Sequence, residues 1–249
     1  TDVRLPRQLL PALQVLEYLR AFLFGRIAWD ALGATLIVSG AFGLFDRSVV
    51  ADAGGFATDT VGEDIELVVR LHRYCREQGW SYRIRFLPDP VAWTECPTSV
   101  SVLGRQRDRW QRGLTDTMVR HRTMLFDPSY GRVGTMAYPF FFFLETIGPA
   151  IEAIGYVLFA VSLALGAISW PVAGAFFLTA FIFGFVLSLI AILLEEFSFR
   201  RYRRFSDLAR LIGLAVVDTF GYRQMNAYWR IKGLISYLRG DEQWGAMER

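Results

Sequence analysis

Cysteine and histidine are scarce in this chain, with two of each among 249 residues. The chain is expected to face the cytosol, where disulfides are rare, so we interpret Cys75 and Cys96 as thiols and not as metal ligands. No signal-peptide pattern is visible. The net charge of +3 is small and the basic residues cluster locally. We therefore expect no nucleic-acid partner.

Charged residues are absent from two long runs, residues 153–170 and 172–194. Basic residues are almost missing between about 133 and 196, whereas most acidic residues precede position 130. Residues 148–151 extend the first run to a length that spans a bilayer, and the second run is long enough by itself. We predict a transmembrane hairpin of residues 149–170 and 172–194. A buried helix pair in a soluble protein is the disfavoured alternative.

This asymmetry predicts a polar domain over residues 1–130 and a membrane region with interfacial helices over residues 131–249. Aromatic residues 138–144 are interpreted as a helix that lies in the interface or enters the membrane at an angle. A third span over residues 208–238 is disfavoured, because charged residues interrupt its apolar pieces. We interpret that segment as interfacial or re-entrant.

A basic cluster follows the second apolar run. By the positive-inside rule this loop is cytoplasmic, and a hairpin returns the chain to the side it left. We therefore expect a multi-pass protein of the inner (plasma) membrane with its polar domain in the cytoplasm. The cluster consists of Arg200, Arg201, Arg203 and Arg204.

Helical and extended patterns alternate before residue 130, which is typical of an α/β domain. Leucine spacing predicts a helix over residues 6–29, and another is predicted over residues 63–78. Short strands are predicted at residues 35–38, 82–86 and 91–95.

Asp64 is predicted in the first turn of the helix over residues 63–78. Thr60 and Glu63 have the spacing of a capping box, and the helix dipole there favours an ionised carboxylate, as a base requires. The alternative is that acidic residues are simply common in first turns. His72, on the apolar side of the helix, is interpreted as a packing residue.

A second helix, starting near Pro97, places four residues on one face because they are spaced i, i+3, i+4 and i+7. Arginine holds phosphate oxygens in a bidentate manner, and tryptophan offers a flat surface for a sugar ring. The face therefore suits a diphosphate beside a sugar. The alternative is a solvated basic helix with one buried tryptophan. The four residues are Gln106, Arg109, Trp110 and Gly113.

Together these stretches resemble the processive family 2 glycosyltransferases, which include the cellulose, hyaluronan and poly-N-acetylglucosamine synthases. Their Gln-x-x-Arg-Trp signature is intact here. Their Thr-Glu-Asp signature reads Gly62-Glu63-Asp64, so glycine replaces threonine and the acidic pair is kept. The resemblance implies the acceptor-side half of a GT-A type domain over residues 1–130.

The resemblance also implies an inverting hexosyltransferase that moves a sugar from a nucleotide-sugar donor to a glycan acceptor. Asp64 would be the base and Glu63 would orient the acceptor or the base. Arg109 would stabilise the leaving diphosphate, and Trp110 would stack on the acceptor sugar.

The remaining implied roles concern substrate contacts and the cofactor. Gln106 would fix the helix face or contact the substrate, and Ser39 and Gly40 would lie beside the acceptor. A plain tight turn is the alternative for these last two residues. A divalent metal, Mg or Mn, is expected on the diphosphate. Its Asp-x-Asp ligands are expected before residue 1, so the fragment alone should be inactive.

Two other functions stay open. One is a nonprocessive glycosyltransferase acting on a lipid-linked acceptor, which the intact Gln-x-x-Arg-Trp motif disfavours. The other is a noncatalytic membrane adaptor or transporter fragment in which Arg109 and Trp110 are only structural. The expected partners are the donor, the glycan acceptor, the lipid bilayer and a subunit for export.

Overall fold

The computed structural model describes residues 4–89, 94–202 and 204–241, and every regular element in these ranges is helical. Residues 91–93 of one predicted strand and Arg203 of the basic cluster lie outside these ranges. The chain divides into two compact units. The first consists of residues 1–25, 96–100 and 150–227, and the second of residues 26–95, 101–149 and 228–249. The functional division at residue 130 stays a prediction.

In the first unit, α1 (Leu9–Glu17) continues into a wider π-helical segment, Tyr18–Phe24. This confirms the predicted N-terminal helix. The segment packs against the long helix α7 (Trp170–Ser198), and α7 packs against α8 (Phe205–Val217). Polar contacts fix the segment as well, because Arg20 donates to Ser188 at 2.9 Å and pairs with Asp218 at 2.7 Å.

Two helices are long and apolar enough to cross a membrane, judged by length and composition only. The first is a 32-residue run, Val133–Ala164, and the second is the 29-residue helix Trp170–Ser198. Within the first, π-helical segments Val133–Ala137 and Phe140–Ile147 lead into α6, Gly148–Ala164.

These bounds correct two predictions. The aromatic residues 138–144 do not form a separate helix, because the wider π turns accommodate Pro139 without a break. The first hairpin helix ends at Ala164, before the predicted residue 170. The second begins at Trp170, because Pro171 fits the first turn of a helix, where its missing N–H needs no partner.

The segment after α7 (Trp170–Ser198) forms two helices, which agrees with the expectation that it is not one span. Helix α8 covers Phe205–Val217 and α9 covers Arg223–Leu238. Between them the backbone leaves helical geometry at Phe220 and Gly221. Whether these helices lie in a membrane interface stays a prediction.

The second unit contains α2 (Gly25–Ala31), α3 (Arg47–Asp52), α4 (Glu63–Glu77) and α5 (Val100–Arg120), and most of α9. Helices α4 and α5 each contribute an i, i+4 apolar pair to one core, so burial of this core holds the two helices together. These pairs are Ile65 with Val69 and Leu114 with Met118.

The predicted strands at residues 35–38 and 82–86 are wrong for the described part of the chain, where both segments lie outside regular structure. Their polar groups bond to side chains instead of to a neighbouring strand. His72 Nε2 lies 2.9 Å from the Thr35 carbonyl, and the Phe86 N–H donates to Asp30 at 2.8 Å. The α/β class is therefore not confirmed.

Candidate functional site

Asp64 lies in the first turn of α4, where its carboxylate meets the chain at Ser39-Gly40. The Gly40 N–H donates to Asp64 Oδ2 at 2.9 Å, and the Ile65 N–H donates to Oδ1 at 2.8 Å. A Cβ on Gly40 would lie 2.9 Å from Oδ2, closer than side chains tolerate. A side chain at position 40 would therefore displace the Asp64 carboxylate, whereas glycine lets the backbone approach it.

The capping box predicted for α4 is wrong. Gly62 is the N-cap residue, and no side chain caps this helix start. The Thr60 hydroxyl instead accepts a hydrogen bond from the Gly62 N–H at 3.3 Å, which forms a local turn before the helix. Glu63 nevertheless shares the first turn with Asp64, as predicted.

A cavity of about 560 Å³ opens beside Asp64. Its polar lining comes from Asp64, Ser39, Arg47 and the Gly40 backbone, and the rest of the lining is largely apolar. A mixed wall of this kind suits a sugar, which presents both hydroxyl groups and flat apolar faces. The apolar and glycine part of the lining consists of Val38, Gly43, Leu44, Phe45, Val50, Ala51, Gly55 and Phe56.

The two sequence motifs meet where α4 begins. A Cβ on Gly62 would lie 2.7 Å from the Cα of Gly113, and a Cβ on Gly113 would lie 2.7 Å from the Cα of Gly62. The two backbones are therefore in direct contact. Because Gly113 belongs to α5, this contact brings the start of the Asp64 helix onto the motif helix.

Helix periodicity determines which side of α5 this contact uses. Gln106, Arg109 and Trp110 precede Gly113 by seven, four and three residues, so they share its face. Arg109 and Trp110 lie about 4 to 6 Å from Gly113 along the helix axis. The predicted motif face is therefore the face on which α4 begins.

The opposite face of α5 is covered by α9. A Cβ on Gly104 would lie 2.7 Å from Trp229 Nε1, so the indole packs directly on the helix backbone. Arg230 donates to Gln111 at 2.8 Å and pairs with Glu145 at 2.9 Å. Glu145, which would be costly against lipid, is thus neutralised within this unit.

The structure places the remaining motif residues on α5 itself. The Trp110 ring is 37% exposed, and the Arg107 guanidinium lies over it at 4.5 Å. The side-chain carbonyl oxygen of Gln106 is buried and accepts no hydrogen bond within the described ranges. None of Glu63, Gln106, Arg109 and Trp110 is among the described residues that line the cavity.

Sequence reasoning missed three polar residues at this site. Arg47 lines the cavity and makes no polar contact with any residue in the described ranges. The sequence contains a helix-start signal for Arg47, because Asp46 is a typical N-cap residue and places Arg47 at the first position of α3. Glu66 and Arg70 hold a cavity loop, and their i, i+4 spacing marked them as a pair.

Glu66 is 4% exposed and bonds to Arg70 and His121. Burial alone would raise its pKa, but hydrogen bonds from His121 and Arg70 outweigh burial and hold the pKa below its ordinary value. His72 is also buried, and burial lowers its pKa to about 4. Its imidazole is bonded on both sides, to Tyr82 and Thr35, which supports its interpretation as a packing residue.

No three His, Cys, Asp or Glu side chains come together in the described ranges, and the Asp-x-Asp ligands of the expected metal were predicted to precede residue 1. The divalent metal therefore stays a prediction, and no step below depends on it. Cys75 and Cys96 are thiols in the structure.

Comparison with known proteins identifies the family. A profile described as Glycosyl transferase family group 2 matches residues 7–195. The chain belongs to this family. The match covers both motifs and most of the apolar hairpin, so the family resemblance seen in the motifs is confirmed.

Among curated proteins, two synthases from staphylococci are similar to the chain. The poly-beta-1,6-N-acetyl-D-glucosamine synthase of Staphylococcus aureus (strain COL) is 33% identical over 120 residues, which cover 47% of this chain and 27% of the relative. The synthase of the same name from Staphylococcus epidermidis is 31% identical over the same length. The chain thus matches about a quarter of the length of these relatives. No solved structure matches it significantly.

Proposed function

We propose that the full-length protein is a membrane-bound, inverting glycosyltransferase that extends a polysaccharide from a nucleotide-sugar donor. Family membership supports sugar transfer, and the similarity to poly-beta-1,6-N-acetyl-D-glucosamine synthases favours an N-acetylhexosamine polymer. One observation carries the proposal for this chain. The contact between Gly62 and Gly113 brings the Asp64 turn and the Arg109–Trp110 face to one side of α5.

In the proposed reaction, an acceptor hydroxyl attacks the anomeric carbon of the donor sugar. A glycosidic C–O bond forms, the bond from the anomeric carbon to the diphosphate oxygen breaks, and Asp64 takes the hydroxyl proton. The Gly40 N–H holds Asp64 Oδ2, so the carboxylate keeps one orientation toward the cavity. Attack from the side opposite to the diphosphate inverts the anomeric configuration.

The α5 face would bind the other reacting groups. Negative charge grows on the diphosphate as it leaves, and the Arg109 guanidinium is suited to stabilise it through paired hydrogen bonds. Trp110 is covered by Arg107 on one face, so its exposed surface is the part that can stack on a sugar. Glu63, in the same turn as Asp64, would orient the acceptor.

The membrane part of the proposal depends on the two apolar helices. Val133–Ala164 and Trp170–Ser198 would form a hairpin, which keeps the site and the Arg200–Arg201 loop on the cytoplasmic side. Nucleotide-sugars are made in the cytoplasm, so this topology would give the donor access to the site. Processive transfer of the polymer and a partner subunit for export belong to the same proposal.

Binding of uridine diphosphate to the full-length protein tests the role of the α5 face. We expect Arg109→Ala to weaken binding by about tenfold or more, the value of one charge-assisted contact. Arg105→Ala, which changes an exposed arginine on the same helix, is the matched control. Unchanged binding in Arg109→Ala would favour the noncatalytic adaptor.

Product length separates the two enzymatic alternatives. A processive enzyme given donor in excess releases long chains while most acceptor molecules stay unused. A nonprocessive enzyme adds one sugar to nearly every acceptor before any is extended. Electrophoresis of the radiolabelled products distinguishes these patterns, and single additions to a lipid-linked acceptor would overturn the processive assignment.

A further inference from the structure

One wall of the cavity is a glycine loop that has little conformational preference of its own. Gly54 and Gly55 follow α3 with φ values of +96° and +73°, a region that other residues rarely adopt. Gly55 and the adjacent Phe56 both line the cavity. The Phe56 ring meets Phe45, another lining residue, edge to face at 6.4 Å. The position of this loop therefore sets the shape of the cavity.

Backbone hydrogen bonds tie the N–H groups of Gly54 and Gly55 to α3, and the Arg70 guanidinium binds the carbonyl groups on either side of Gly54. Arg70, on α4, donates to the carbonyl of Ala53 and to the carbonyl of Gly55, each at 2.5 Å. These two carbonyls flank Gly54, so the arginine spans the turn. A Cβ on Gly54 would lie 3.2 Å from Arg70 Nη1, which shows how closely the guanidinium fits the turn.

The Arg70 guanidinium is itself held in place by the Glu66 carboxylate. Its Nε and Nη2 donate to the two oxygens of Glu66 at distances of 2.9 to 3.2 Å. Glu66 is buried, and its Oε1 lies 3.1 Å from His121 Nε2. Because Glu66 comes two residues after Asp64, the carboxylate turn and the loop are connected through α4.

We propose that Arg70 is a positioning residue that sets the acceptor site by holding the Gly54–Gly55 loop at a fixed distance from Asp64. It lies behind the loop and acts through it. The inference rests on the proposed function, because it takes the cavity as the acceptor site. The Arg70 variants should therefore affect acceptor binding more than the chemical step.

The same helix supplies a matched control. Arg73 pairs with Glu77 at 2.8 Å with the same i, i+4 spacing, but this pair is exposed and neither residue lines the cavity. Arg73→Met thus removes an arginine and an ion pair from α4 without touching the loop. Arg70→Lys keeps the charge beside Glu66, but one ammonium cannot replace the guanidinium contacts to both carbonyls.

The experiment combines steady-state kinetics with hydrogen exchange in the full-length enzyme. The probes are UDP-N-acetylglucosamine at saturation and a β-1,6-linked N-acetylglucosamine oligosaccharide as acceptor. We expect Arg70→Met to raise the acceptor KM about tenfold, with a smaller rise in Arg70→Lys and a kcat within about threefold of wild type. Amide exchange at residues 53–56 should accelerate in both variants and not in Arg73→Met.

The outcomes separate the two proposals. An active wild-type enzyme whose acceptor KM is unchanged in both Arg70 variants overturns the role of Arg70 alone. Unchanged exchange at residues 53–56 overturns it as well, because Arg70 then does not hold the loop. A wild-type enzyme that transfers no sugar contradicts the proposed function, whatever the exchange result.

Discussion

The backbone of Gly62, the residue before α4, lies directly on the backbone of Gly113 in α5, with no room for a side chain on either. This contact explains why the chain can depart from the Thr-Glu-Asp signature. A threonine at position 62 would place its Cβ 2.7 Å from the Gly113 Cα. Glycine at both positions lets the two motifs approach at van der Waals distance.

We expect Gly62→Ala and Gly113→Ala each to destabilise the fold by about 1–3 kcal/mol, the usual cost of overpacking, and to lower sugar transfer. Gly62→Thr should be worse. Gly213→Ala is the control, because a Cβ on this helical glycine meets nothing within 4 Å. Thermal unfolding and transfer rates check the prediction. Wild-type stability in Gly113→Ala would show that the two helices do not meet in this way.

Gly40→Ala tests how closely the backbone must approach the proposed base. The added methyl group would lie 2.9 Å from Asp64 Oδ2 and would displace the carboxylate from its hydrogen bond. We expect kcat to fall by about tenfold or more, because a shift of about 1 Å in a catalytic group is costly. The midpoint of thermal unfolding should change little, since the segment is exposed. A kcat equal to that of the wild type would show that Gly40 does not position the Asp64 carboxylate for catalysis.

The motif helices were the most predictable part of this fold. Helix α5 was predicted from a helix start near Pro97, and the start of α4 at Glu63 from the capping-box spacing, which located the helix correctly although the box itself does not form. The common face of Gln106, Arg109 and Trp110 followed from helix periodicity alone. The places of Arg47 in the cavity wall and of Arg70 behind the Gly54–Gly55 loop could not be predicted in the same way, because both depend on how segments far apart in the sequence pack together.

The strand predictions failed for a physical reason. An alternating segment becomes a strand only when another strand satisfies its backbone groups. Here the Thr35 carbonyl is paired with His72, and the Phe86 N–H is paired with Asp30. The capping box at Thr60 does not form for a similar reason, because the Thr60 hydroxyl accepts a hydrogen bond from the nearer backbone N–H of Gly62.

His72 predicts a pH dependence of stability. Its pKa falls from an ordinary value of 6.5 to about 4 in the folded protein, so the folded state holds the neutral ring. Below about pH 6.5 the unfolded chain binds a proton that the folded chain excludes. The contribution of His72 to the free energy of unfolding therefore declines as the pH drops from 6.5 to 4. Above pH 6.5 it is fully present.

Thermal unfolding of the detergent-purified protein across this pH range measures the effect. The wild type should lose stability by up to about 1.4 kcal/mol per pH unit from this one group. His72→Gln keeps a donor for the Thr35 carbonyl and cannot titrate. The slope of its free energy of unfolding against pH should therefore be smaller by the contribution of one bound proton. Parallel curves for the two proteins would show that His72 does not titrate with unfolding.

The most direct measurement is the rate of sugar transfer by the full-length enzyme carrying Asp64→Asn, alongside its affinity for uridine diphosphate. Asparagine fills the same space and its oxygen can still accept the Gly40 N–H, whereas its NH2 group cannot accept the Ile65 N–H and cannot take a proton at neutral pH. We predict a loss of about 10²- to 10⁴-fold in kcat, with nucleotide affinity and thermal stability close to wild type. Transfer near the wild-type rate would contradict the assignment of Asp64 as the base and, with it, the central claim.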